Sequence, residues 1–204
     1  MARRSDHSRE QIKEMALQAT EKILIEQGLT GLSTRKVAAA IGYTAGSLYL
    51  VFENLEDLLL HVNVRTLEKL FQTLQGSAND CPEVQTCLRN MALAYITFAK
   101  DHPNLWSAIF ERQWQNEMPD WYNDKIAHLF QLVEGKFQQL LPEARTDKIA
   151  QAVRAYWCGV HGVCMLGLTG KLDAISDHST EELSNTLIDN FLFGLTSKKG
   201  PRDD

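Results

Sequence analysis

The sequence predicts an all-α protein with an N-terminal three-helix domain built around a helix-turn-helix, followed by a longer helical body. Three observations carry that expectation. Apolar residues recur near a 3.6-residue period along most of the chain. Glycines, prolines and hydroxyl residues stand where helices stop and start. No strand-like alternation of useful length occurs.

The elements follow in order. Ile12, Met15, Ala16, Ala19, Ile23 and Ile25 mark one helical face, and Gly28 ends that helix. Ser33 is a natural N-cap for a short second helix over 34–40. Gly42 breaks it, and Thr44 opens a third short helix through about 51. Asn54 caps a long helix over 55–74. The cluster QGSANDCP at 75–82 is a loop. Beyond it the pattern predicts helices over 83–101, 105–115, 121–141, 147–169 and 180–196. They are separated by His102-Pro103, by a turn at 116–120 and by Pro142, and a frayed tail, KKGPRDD, ends the chain. The expected division is a helix-turn-helix domain at 1–53 and a second domain at 54–204.

Charge is unevenly spread along the 204 residues. Residues 1–50 hold seven Lys/Arg and five Asp/Glu, a balance of +2 within a net −5, which leaves −7 on the remainder. A basic head on an acidic body points to nucleic acid at one end. No apolar run is long enough to span a membrane, and the N-terminus lacks the apolar stretch of a signal peptide. A cytoplasmic location is therefore expected. Cys81, Cys87, Cys158 and Cys164 form two C-x5-C pairs. That spacing matches no common zinc pattern, so free thiols are expected. Motifs for a nucleophile elbow, a zinc protease helix, a phosphate loop and a dinucleotide fold are all missing. Neither catalysis nor a cofactor is expected, and a solvated helix face accounts for Glu111, Glu117 and Asp120.

Residues 33–52, STRKVAAAIGYTAGSLYLVF, carry the chemistry of the head. Two short helices around Gly42 make a helix-turn-helix, whose second helix offers its first residues to base edges in the major groove. Ala38 and Ala39 let the helices cross closely. The hydroxyls of Ser33, Thr44, Ser47 and Tyr49 can meet phosphate oxygens. Residues 29–60, with the frame Ser33, Val37-Ala38, Ile41-Gly42-Tyr43-Thr44, Gly46-Ser47-Leu48-Tyr49, Phe52 and Leu58, resemble the DNA-binding segment of TetR-type transcriptional regulators.

The resemblance implies a homodimer that binds a palindromic operator. Such a protein usually represses and is released by a small molecule, here an apolar or aromatic one. Double-stranded DNA would meet Ser33, Thr34, Arg35 and Lys36 at the second helix. Thr44, Ala45, Gly46, Ser47 and Tyr49 would form the reading surface. Arg3 and Arg4 would form an arm that reaches a minor groove. The reading helix has no Arg, Lys, Asn or Gln, so specificity would rest on hydroxyls, thymine methyls, Arg35 and groove shape. Leu50, Val51 and Leu55 stand where relatives often carry aromatic, histidine or lysine residues. A helical scaffold with weakened DNA binding and a small helical enzyme are the alternatives.

In the body, aromatic residues crowd as they do around apolar pockets. Tyr95, Phe98, Trp106, Phe110 and Trp114 are candidate ligand contacts, together with Trp121, Phe130, Trp157, His161 and Met165. The stretch YWCGVHGVCMLGLTG resembles the W…HG signature of one class of TetR-type C-terminal domains. That class packs its last two helices into a four-helix dimer interface. This implies contacts from Ile149, Val153, Leu183, Leu187, Phe191 and Leu195. His161 would bond either a ligand or a neighbouring helix.

Overall fold

In a computed structural model, residues 7–79, 81–110, 117–175 and 177–197 are described. They hold nine α-helices: α1 (Arg9–Gln27), α2 (Thr34–Ala40), α3 (Ala45–Leu48), α4 (Leu55–Ser77), α5 (Val84–Asp101), α6 (Pro103–Phe110), α7 (Asp120–Leu140), α8 (Thr146–Leu168) and α9 (Thr180–Thr196). The expected all-α architecture is observed, with no strand among the described residues. The chain forms two compact units. One comprises Met1–Glu68 and His102–Tyr122, the other Lys69–Asp101 and Asn123–Asp204.

Local chemistry places most boundaries. Ser8 and Gln11 close a reciprocal capping box that starts α1, and Ser179 and Glu182 close one on α9. Ser33 Oγ accepts from Lys36 N, and Thr44 Oγ1 from Ser47 N, so both hydroxyls cap as expected. Asn54 Oδ1 accepts from Asp57 N at 2.9 Å. Gly28 and Gly42 have φ of 64° and 75°, a region that glycine enters at little cost.

Three boundaries differ from expectation. The third helix is a single turn, because Leu50 and Val51 bond back to Ser47 and Leu48 in the tighter i→i+3 pattern. α4 continues to Ser77, whose hydroxyl donates to Leu74 O at 2.8 Å. α6 begins at Pro103 rather than 105. Proline suits the first helical position, where no N–H partner is needed.

The first unit has its own core. Leu17, Leu24, Val37, Ala38, Leu48 and Phe52 pack with Leu58, Leu59 and Val62 of α4 and with Leu105 and Ala108 of α6. α4 and α6 thus complete the core around the head, and this compact unit extends past a cut at 53/54. Fully buried Asn63 ties the two helices, donating from Nδ2 to Ala108 O at 3.0 Å.

In the second unit α5, α8 and α9 pack together. Tyr156 is their hub. Its hydroxyl donates to Leu88 O at 2.9 Å, and its ring lies 5.5 Å from both Phe137 and Phe191. Two α8 glycines admit α9 closely: a Cβ on Gly159 would lie 2.9 Å from Leu187 Cδ2, and one on Gly167 would lie 2.4 Å from Thr180 Oγ1.

Candidate nucleic-acid interface and aromatic cluster

The head is held from beneath by apolar packing and from the side by the turn. Val37 and Ala38 of α2 and Leu48 of α3 are buried. Between the helices, Gly42 N donates to Ala39 O and Tyr43 N to Ala38 O, at 3.2 and 2.9 Å. This closes the reversal that glycine at residue 42 permits.

The opposite face is open. Arg35, Lys36, Thr44, Gly46 and Tyr49 are exposed, and Ser33, Thr34, Ala45 and Ser47 are half-buried. Tyr49 and Leu50 are 54% and 57% exposed, unusual for large side chains. Thr44 Oγ1 lies 3.1 Å from Ser47 Oγ and also caps α3. Thr44 and Ser47 therefore present a coupled pair of hydroxyls rather than two independent ones. Lys36 Nζ donates to Gln27 Oε1 at 2.9 Å. Arg3 and Arg4, the proposed arm, lie outside the described residues.

The structure adds groups that local pattern does not single out. Arg9 donates through its guanidinium to Leu50 O, so α1 brings a cation to the end of α3. His7 Nδ1 lies 2.8 Å from Tyr43 Oη. Arg9 stands out in sequence only as one of the basic residues near the N-terminus.

Beneath the head in the same unit lies a mixed cluster. His61 stacks on Trp121 at 4.8 Å and meets Phe52 edge-on at 5.8 Å. Lys13 Nζ lies 3.4 Å from His61 Nε2, and Asp57 3.5 Å from it. Burial, then the Lys13 charge, pushes the His61 imidazole below its ordinary range, while Asp57 opposes the shift. Glu14 is held below the usual carboxylate range, first by its hydrogen bond from Arg65 and next by one from Gln18.

The candidate ligand residues divide between the units. Trp106, Phe110 and Trp121 belong to the first, where Trp106 is buried and lies 5.0 Å from Phe110. Tyr95, Phe98, Phe130, Trp157, His161 and Met165 belong to the second. Trp114 and Glu111 lie outside the described residues. Within the second unit, Tyr95 Oη and His161 Nδ1 are 2.7 Å apart. Trp157 lies 4.8 Å from His161 and 5.7 Å from Phe130. Arg154 covers Phe130 at 4.8 Å and pairs with Glu134. Of the two roles open to His161, a bond to a neighbouring helix is observed, with Tyr95 of α5. Burial lowers the His161 pKa, favouring a neutral ring. Phe98, like Tyr95, is buried.

Of the expected dimer contacts, Ile149 and Val153 are 2% and 0% exposed within the single chain and pack inward. Leu183, Leu187, Phe191 and Leu195 are half-buried, with Leu187 seated over Gly159. On α8, Ala155, Cys158 and Leu166 are exposed, with half-buried Gly162 between them, and Phe193 of α9 is 73% exposed. All four cysteines are free thiols. No group of three or more His, Cys, Asp or Glu side chains suited to a metal occurs among the described residues. Nor is any of their helices long and apolar enough to cross a membrane.

An exposed hydroxyl and basic face on a helix-turn-helix, joined to a helical body, defines a DNA-binding transcription regulator. The profile for bacterial regulatory proteins of the tetR family matches residues 16–62, and that for the Tetracyclin repressor-like C-terminal domain matches residues 88–191. The chain belongs to the TetR family: a transcription regulator with a DNA-binding domain and a C-terminal ligand-binding domain, not an enzyme. It is 26% identical over 179 residues to an uncharacterized HTH-type transcriptional regulator of Mycobacterium tuberculosis, covering 86% of this chain and 77% of that one. In fold it is similar to a protein of unknown function from Rhodococcus sp. RHA1. The TM-score is 0.77 at 18% identity, over 96% of this chain and 100% of that one. It also resembles a tetR-family transcriptional regulator from Streptomyces coelicolor. There the TM-score is 0.69 at 16% identity, over 93% and 83% of the two chains.

Proposed function

We propose that this protein is a cytoplasmic repressor that binds a palindromic operator as a homodimer and is released by an apolar or aromatic small molecule. The observation that carries the reading is the open face of α2 and α3, where Arg35, Lys36, Thr44, Gly46 and Tyr49 all reach solvent. Charge attracts the phosphates. The coupled Thr44 and Ser47 hydroxyls and the Tyr49 and Leu50 side chains then read methyls, edges and groove shape. Arg35, Lys36 and Arg9 position the head, and Arg3 and Arg4 form the arm.

Effector binding involves the aromatic set of the second unit, Tyr95, Phe130, Trp157, His161 and Met165. The His161 and Tyr95 pair suits an uncharged polar group on an otherwise apolar molecule. Release follows if effector binds more tightly to the conformation that fits the operator less well. The partner subunit packs on Ala155, Cys158, Gly162, Leu166 and Phe193, alongside Leu183, Leu187, Phe191 and Leu195. An exposed Phe193 is a typical mark of an interaction surface.

Selection of bound sequences from random duplex DNA at near-physiological salt tests the reading. A recovered palindrome supports it. Weak binding without pattern, from a folded dimer, would sink it and leave a helical scaffold in its place. Sedimentation of Phe193→Glu tests the interface: the variant sediments as a monomer at concentrations where the parent is dimeric.

A further inference from the structure

Cys81 and Cys87 belong to the second unit and are not among the candidate ligand residues. The carbonyls of three consecutive residues at the end of α4 gather both sulfurs. Cys81 Sγ lies 3.8 Å from Ser77 O and 3.7 Å from Asn79 O. Cys87 Sγ lies 3.7 Å from Ala78 O. Asn90 Nδ2 approaches Cys81 Sγ at 3.9 Å. Lys136 of α7 donates from Nζ to Ala78 O at 3.5 Å, the carbonyl that the Cys87 thiol also meets. Cys87 is buried and Cys81 is partly open to solvent.

We propose that Cys81 and Cys87 form a dithiol site that peroxide converts to an internal disulfide. The asymmetry in exposure assigns the roles. Cys81, reachable from solvent, attacks hydrogen peroxide as the thiolate. The O–O bond breaks, giving a Cys81 sulfenic acid and hydroxide. The Cys87 thiolate then attacks that sulfur, the S–S bond forms and a second hydroxide leaves. Two thiols and one peroxide become one disulfide and two waters, with the two thiol protons neutralising the hydroxides. Each sulfur loses one electron and the peroxide gains two. The neighbourhood tolerates the product. Oxidation removes both S–H donors, yet Ala78 O keeps Lys136 as partner. Cys81 lies in the loop before α5, and Cys87 one turn inside it, so the loop residue can supply the approach that an S–S bond needs. In a reducing compartment such a bond is transient and serves sensing rather than stability.

The Cys87 thiol, a hydrogen-bonding neighbour, and some burial hold Cys81 above the ordinary thiol range, while Lys136 and Asn90 pull the other way. Because the thiolate is the attacking form, oxidation accelerates as pH rises toward that range.

Trypsin isolates the site, since residues 70–89 contain both cysteines and no internal Lys or Arg. The folded full-length protein is treated with hydrogen peroxide, alkylated and digested. In the expected result peptide 70–89 loses two hydrogen atoms, resists alkylation, and takes two alkyl groups only after reduction. In Cys81→Ser the same peptide keeps a single alkylatable thiol and forms no internal bridge. Two alkylatable thiols in peptide 70–89 after treatment with a molar excess of hydrogen peroxide would overturn the proposal. So would bridges that join Cys81 or Cys87 to Cys158 or Cys164 in place of the internal bond.

Discussion

Two helix glycines allow one perturbation to be worked through. Gly135 of α7 and Gly167 of α8 differ in what an added methyl would meet. At exposed Gly135 nothing lies within 4 Å. Alanine there gains helix propensity of about 0.5–1 kcal/mol. At Gly167 the new Cβ would lie 2.4 Å from Thr180 Oγ1, 3.1 Å from Cγ2 and 3.3 Å from Cβ. Threonine is β-branched and stiff at χ1, so rotating one branch away brings the other in. Relief must then come from backbone shifts between α8 and α9, with an overpacking cost of about 1–3 kcal/mol. The propensity gain near the helix end offsets only part of this, leaving a net loss of about 1–2 kcal/mol. For a chain of this size, 1 kcal/mol moves Tm by about 2–4 °C. Gly167→Ala should therefore melt about 2–8 °C below the parent, and Gly135→Ala about 1–4 °C above it. Thermal unfolding followed by circular dichroism, at one fixed protein concentration, reads both. A Gly167→Ala protein that melts at or above the parent temperature refutes the tight α8–α9 contact.

Other predictions rest on other contacts. Asn63→Ala leaves the buried Ala108 carbonyl without its donor and should cost about 1–3 kcal/mol in urea unfolding; an unchanged midpoint would show that the bond contributes nothing. His61 and His161 both have lowered folded pKa values. Above the ordinary histidine pKa both states are neutral and the two residues contribute no pH dependence. As pH falls below it the unfolded chain takes up protons first, so stability declines until the folded pKa values are passed. The double variant His61→Gln/His161→Gln should flatten the decline in urea midpoint between about pH 6.5 and 5, and an undiminished slope would place its origin elsewhere. Arg35→Ala should weaken operator binding and reduce the slope of log K against log salt by about 1, as loss of one phosphate contact requires. Equal slopes in titrations of parent and variant would remove Arg35 from the interface.

Much of the head is legible in sequence because its determinants are local. Ser33, Thr44 and Asn54 cap helices through atoms three residues away, and Gly42 turns the chain through its own φ. What lies beyond reach is pairing across distance. Nothing near Leu105 or Ala108 tells that they complete the core under Val37 and Leu48. Periodicity shows that Ile149 and Val153 lie on an apolar face of α8. It does not show whether that face is covered by the chain itself, and their burial within the single chain adds that. Aromatic density likewise marks Trp121 and Trp157 alike. Only contacts separate one stacked on His61 beneath the head from one beside His161 in the other unit.

The sharing of α4 and α6 bears on how such a head could be transplanted. Cutting after residue 53 would strip Val37, Leu48 and Phe52 of Leu58, Leu59, Val62, Leu105 and Ala108, which belong to the same core. The graft would be left with a raw apolar underside. A chimera that exchanges DNA specificity must therefore carry two separate stretches of chain, through Glu68 and again from His102 to Tyr122. Alternatively, it can keep the native underside and alter only the solvent-facing residues of α2 and α3. The second route is the conservative one. It also suggests why sequence drift can retune operator choice residue by residue, while wholesale exchange of the reading element must cross a folding barrier.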